Sequence, residues 1–139
     1  MSTFVHRRAG FTLIELLIAV AVVGILVSLA VASYGFATVK ARRAAAQGCL
    51  VEAAQALERH YTLQFTYVGA AAPSCSADVA EHYAVGFDAG EPTQSTFRLR
   101  AVPQGSQAAS DTTCGTLSLD HTGVRLAGAG DDATVEACW

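Results

Sequence analysis

The sequence predicts an α+β fold in which one long N-terminal helix packs on an antiparallel sheet of about four strands. Three observations carry that expectation: 24 consecutive uncharged residues from Leu16 to Val39, a helical pattern that continues to Tyr61 with no proline before Pro73, and strand-like alternation in the second half. Composition sets the outer bounds. Of the 139 residues, 52% are apolar and 15% charged, against averages of roughly 45–50% and about 25%, so a disordered chain is excluded. With 9 basic and 12 acidic residues the formal charge is −3. There is no global positive field, and any nucleic-acid role needs a local patch.

As a helix the uncharged run is about 36 Å long, more than the roughly 30 Å of bilayer hydrocarbon. It is long enough to span a membrane. A secretory signal would place an apolar core of about 7–15 residues before a cleavage site and soluble protein. Here the apolar stretch is longer and runs on as helix. Counted from Phe11, the apolar stretch to Val39 has one charged residue, Glu15, five residues in, where a carboxylate is costly, though less so near the interface. An acid there calls for a partner. Arg7 and Arg8 form a short basic leader that ends at Gly10, immediately before the apolar run. Cleavage after Gly10 would leave an α-amino group at Phe11, a cation about one helical turn from Glu15.

Gly10-Phe11-Thr12-Leu13-Ile14-Glu15-Leu16 resembles the prepilin peptidase site and N-methylation motif of type IV pilins and type II secretion pseudopilins, and the likeness continues through Gly24-Ile25-Leu26 and Ser33-Tyr34. The resemblance implies removal of residues 1–10, methylation of Phe11, and an apolar helix over 11–39 that anchors the subunit in the inner membrane and later packs in a filament core, with Glu15 serving assembly. Ala32 stands where these pilins usually carry proline, so a proline-linked kink is not implied for this chain. Gly24 and Gly35 remain weak points, each about 1 kcal/mol worse than alanine in a helix.

Residues 40–62 read as the amphipathic half of the same helix. Ala46, Cys49, Leu50, Ala53, Leu57 and Tyr61 recur at three- and four-residue spacing, with Glu52, Gln55 and Arg59 on the other side. From 63 to 139 the sequence predicts a connection, irregular to about Glu81, and then the sheet. Phe97, Leu99 and Ala101 alternate with Arg98 and Arg100; Leu117 and Leu119 alternate with Thr116, Ser118 and Asp120; Val124 and Leu126 flank Arg125; and Tyr83 to Phe87 is a weaker fourth strand. Asp120-His121-Thr122-Gly123 reads as a hairpin connection. Phe97 to Pro103, Cys114 to Leu119, Gly123 and Cys138-Trp139 are similar to the C-terminal half of PilE-type minor pilins.

Four cysteines in a short exported domain imply a disulfide framework with three connectivities open. The pilin resemblance implies Cys114 with Cys138, and Cys49 with Cys75. Neither the cysteines nor the scattered His6, His60, His82 and His121 have metal-ligand spacing, so no metal or other cofactor is expected. Asp131-Asp132 reads as a solvated turn, with calcium the minor alternative. No nucleophile elbow, phosphate loop or zinc-protease motif occurs, so the chain is not expected to be an enzyme.

Lys40, Arg42 and Arg43 follow the apolar helix as an interfacial anchor. Arg98, Arg100 and Arg125 are expected to share the outer sheet face as a basic patch. The resemblance implies a structural subunit of a type IV pilus, of the minor kind, supporting adhesion, twitching motility or DNA uptake. Its expected partners are prepilin peptidase, other pilins, the inner-membrane assembly platform and inner-membrane lipid. A DNA-binding receptor pilin and a secretion pseudopilin are the alternatives.

Overall fold

The computed structural model describes residues 10–139; Arg7 and Arg8 of the leader lie outside the described residues. The chain divides into two units, Met1–Ala37 and Thr38–Trp139. Helix α1, Leu13–Gln64, has its first half in one unit and its second half in the other. Thr12 opens it: its hydroxyl accepts the Glu15 N–H at 3.3 Å, as expected of a Thr-x-x-Glu start. In this first unit Leu13, Ile18, Ile25 and Leu29 each expose more than half their surface, and the helix is long and apolar enough to cross a membrane. It runs through residue 32 unbroken.

In the second unit, Ala46, Cys49, Leu50 and Leu57 of α1 are buried, with Ala53 and Tyr61 packed against them. The sheet is a four-stranded antiparallel meander in the order β1-β2-β3-β4, with β1 Tyr83–Phe87, β2 Arg98–Pro103, β3 Leu117–Asp120 and β4 Arg125–Ala127. Its inward rows are Val85, Ala101, Leu117, Ala127 and Phe87, Leu99, Leu119, Arg125. Leu50, Leu99 and Leu117 are wholly buried, and each contributes about 1.5–3 kcal/mol of transfer free energy.

Three short helices were not foreseen. Within the stretch expected to be irregular, α2 (Ala77–His82) buries Val79; α3 (Gly105–Ser110) buries Gln107; and α4 (Asp132–Cys138) occupies the expected acidic turn. One or two turns are too short to show a 3.6-residue period. For α4 the local signal is its cap. Asp131 is its N-cap, accepting the Thr134 N–H at 2.9 Å and the Thr134 hydroxyl at 2.7 Å.

Arg43 is also reassigned. It is no interfacial anchor, because its guanidinium turns inward to Asp111 Oδ1 at 2.6 Å, the two side chains being 13% and 4% exposed. Asp111 Oδ2 accepts the Tyr83 hydroxyl at 3.1 Å and the Gln107 amide at 3.1 Å. Gln107 also donates to the Val39 carbonyl at 3.1 Å and is 3.0 Å from the Tyr83 hydroxyl. A buried carboxylate demands a cation, and Arg43 is the one that reaches it. The cluster binds α1, α3 and β1 at one end of the core.

Removing one member of a buried ion pair leaves the other charge uncompensated. Asp111→Ala should therefore destabilise the chain by about 3–5 kcal/mol, measured by urea unfolding of detergent-solubilised protein, whereas the double change Arg43→Met, Asp111→Leu should recover most of the loss. An alkaline limit is expected as well. Burial pushes the Tyr83 hydroxyl up to about 12, with Asp111 adding to the rise and Gln107 opposing it, and burial with the Glu58 hydrogen bond raises Tyr67 to about 12. The unfolded phenols ionise near the ordinary value of about 10. The stabilisation from keeping these phenols protonated is thus complete below about pH 10 and lost between about 10 and 12; following unfolding and phenolate absorbance together checks this.

Candidate functional site

Three regions carry chemistry. The first lies in the N-terminal unit, where Gly10 and Phe11 precede α1 and Phe11 is 83% exposed. Phe11 and Glu15 line a surface recess of about 410 Å³ whose other walls are Leu16, Ala19, Val20 and Val23. Glu15 is the one acid in an apolar recess. Phe11, just ahead of α1, and Glu15 in its first turn thus border the same recess.

The second region is braced by the disulfides. Cys49 of α1 is bonded to Cys75, with Cα atoms 5.7 Å apart, and Cys114 to Cys138, with Cα atoms 5.5 Å apart. The bonds close segments 26 and 24 residues apart, each worth roughly 3.5 kcal/mol in the chain-entropy model. Cys49–Cys75 fastens the connection to the helix. Cys114–Cys138 fastens α4 to the segment before β3, and the Gln47 amide donates to the Cys138 carbonyl.

The third region is the charged surface of the sheet, and here one expectation fails. Arg98 lies opposite Asp120 and Arg100 opposite Ser118 on the outer face. Arg125 does not join them, because it pairs with Leu119, in an inward row. The β3–β4 connection places Arg125 rather than Val124 opposite Leu119, and a one-residue change of register moves every side chain to the other face. Val124, expected inside, is 51% exposed. Since β4 is an edge strand, Arg125 escapes burial and stacks 5.2 Å from the Trp139 ring centroid, while the indole N–H donates to the Leu126 carbonyl at 2.9 Å.

The two outer arginines have acidic neighbours. Arg100 is 3.4 Å from Asp88 and Arg98 is 3.9 Å from Asp120, and both guanidinium-bearing side chains are about half exposed. The Asp120 carboxylate mainly shapes the turn, accepting the Thr122 N–H at 2.9 Å, its hydroxyl at 2.6 Å and the Val124 N–H at 3.0 Å. Partial burial pushes its pKa up, but the Thr122 and Val124 hydrogen bonds outweigh that and hold it below the usual carboxylate value.

Between α1 and this turn runs a groove of about 560 Å³, with Val51, Ala54, Phe97 and Leu119 as apolar lining and Glu58, Arg59, Asp120 and His121 among its polar residues. Arg59 is the cation that sequence reasoning missed. Its spacing marks only the helix face away from the stripe, and nothing in that spacing signals that the β3–β4 turn lies across from it. Asp131 is committed to capping α4, and the described residues contain no cluster of three or more metal-ligating side chains.

Comparison with known proteins places these features in a family. The family model described as "Type IV minor pilin ComP, DNA uptake sequence receptor" matches residues 32–118, and that of the prokaryotic N-terminal methylation motif matches residues 5–31. No curated protein matches. Among solved structures, the chain is similar to the crystal structure of the Neisseria meningitidis non-core minor pilin PilV, with 20% identity, a TM-score of 0.53, and coverage of 68% of this chain and 90% of that one. A pilin helix with its methylation motif, a four-stranded meander, two disulfides and a family match over more than half the chain have one reading: the protein belongs to the ComP family of type IV minor pilins.

Proposed function

We propose that this minor pilin serves as a DNA receptor within a type IV pilus, capturing duplex through the basic surface around the β3–β4 turn. The observation that carries the reading is the family match over residues 32–118, the part of the chain that holds α1's second half and most of the sheet. The geometry offers a means. Arg98 and Arg100 project from one face, and Arg59 lines the groove beside Asp120, the neighbour of Arg98. Exposed ion pairs such as those to Asp88 and Asp120 are worth only about 0–1 kcal/mol, so phosphates can replace the carboxylates. With Arg7 and Arg8 removed the chain is net acidic, and binding depends on this local patch rather than on overall charge.

The route to the filament follows from the N-terminal motif, which implies processing by prepilin peptidase and assembly with other pilins. In our reading the leader is cut between Gly10 and Phe11, Phe11 is methylated, and the chain waits in the inner membrane for the assembly platform. Glu15 then sets axial register by pairing with the α-amino group of a neighbouring subunit. The role is structural and receptive, with no catalysis.

Three measurements test these proposals. A bulky residue at Gly10 should leave an uncut precursor in the membrane by intact mass, whereas Glu15→Ala should be cut normally yet poorly recovered in sheared fibres; normal incorporation would remove the assembly role. For DNA, the detergent-solubilised chain should bind duplex with a salt slope set by roughly three phosphate contacts, and Arg98→Ala with Arg100→Ala should reduce that slope by about 2. An unchanged slope would rule out the outer face as the phosphate-binding surface.

A further inference from the structure

Phe65 occupies a position that neither backbone nor solvent favours. It follows the last residue of α1, and its N–H closes the helix on the Tyr61 carbonyl at 2.8 Å with φ at +56°. This left-handed C-cap is ordinarily taken by glycine or asparagine, because a larger side chain crowds its own backbone there. Among the described residues Phe65 is the one non-glycine residue with positive φ. Burial would offset that cost, but the ring is 75% exposed.

The ring is therefore strained by its backbone and unrewarded by the core, which points to a contact outside the chain. Its surroundings are firm. Tyr67, two residues on, stacks on Tyr61 at 4.6 Å and meets the edge of Phe97 at 5.0 Å, and Phe97 meets His121 of the β3–β4 turn at 6.3 Å. Leu63 and Val68 flank Phe65 with 76% and 56% exposure. No charged residue occurs from Thr62 to Ala77, so the segment brings no carboxylate towards a polyanion. Arg59, on α1, precedes Phe65 by six residues, about 9 Å of backbone rise along the helix axis.

An exposed apolar ring on a segment free of carboxylates, with an arginine on the adjoining helix, is the combination by which side chains enter a base step from the minor groove while cations hold the flanking phosphates. We propose that Phe65 is a wedge that inserts between base pairs of bound duplex DNA and unstacks them, with Arg59 on the adjoining backbone. The proposal rests on the DNA-receptor reading and adds to it a specific contact and a deformation of the ligand.

The helix-cap geometry supplies a test that separates this contact from a structural role. Phe65→Gly relieves the backbone, so the solubilised full chain should melt at the same temperature or higher. Its affinity for duplex should nevertheless fall roughly tenfold, the scale of losing one aromatic–base stack. A duplex with a fluorescent base analogue at successive steps should brighten at one step with the native chain and at none with Phe65→Gly, while the salt slope stays unchanged. Equal affinity and equal brightening for both chains would overturn the wedge while leaving the receptor intact. Failure of the native chain to bind any duplex would overturn both. Reduced recovery of Phe65→Gly in fibres, with DNA binding unaltered, would reassign the ring to a neighbouring pilin and so also overturn the proposal.

Discussion

The Arg43–Asp111 ion pair is the interaction on which the second unit's arrangement turns. Asp111 is almost wholly enclosed, and the pair is tolerable only because Tyr83 and Gln107 fill the remaining hydrogen-bonding capacity of the carboxylate. Apolar packing of α1 against the sheet would allow the helix to slide, since Ala46, Leu50 and Leu57 present a nearly uniform stripe. A buried charge pair has one geometry. It ties Arg43 of α1 to the end of α3, and through Tyr83 and Gln107 to β1 and the Val39 carbonyl. Arg43 also reaches Cys114 Sγ at 2.8 Å, so the second disulfide joins the same cluster.

The disulfides extend that constraint to segments the core cannot hold. The connection after α1 has few buried residues, chiefly Tyr67 and Val79, and α4 has only Cys138. Each is fixed by one covalent bond to a better-packed element. This leaves the exposed residues of the β3–β4 turn, Phe65 and the outer sheet face free to carry surface chemistry without supporting the core.

The N-terminal half of α1 obeys the opposite rule. Its apolar residues are exposed all round, and the only acid within them is Glu15. Such a surface is satisfied by lipid or by other apolar helices, with no preference for position along the axis. In our proposal a single acid and the amine freed at Phe11 supply the preference. One chain thus uses the same device twice, a charge pair that gives register to apolar packing, once inside the subunit and once, in our reading, between subunits.

How much of this was legible in the sequence follows from the range of each interaction. The membrane-length helix, its amphipathic continuation, the four strands and the Gly10-Phe11…Glu15 motif are local patterns, and periodicity and motif spacing report them directly. The face of Arg125 was not, because it depends on how the β3–β4 turn sets register, and a shift of one residue exchanges the faces. Nor was the fate of Arg43, since its partner lies 68 residues away and only folding brings the two together. The short helices escaped for lack of length, and the groove beside Arg59 because its walls come from α1 and a distant turn. The sequence by itself determined the long helix, the four strands and which residues are too apolar to face water. Tertiary structure decided which charges are buried, paired or free, because charge–charge energies depend on separation and burial in space, which no local pattern encodes.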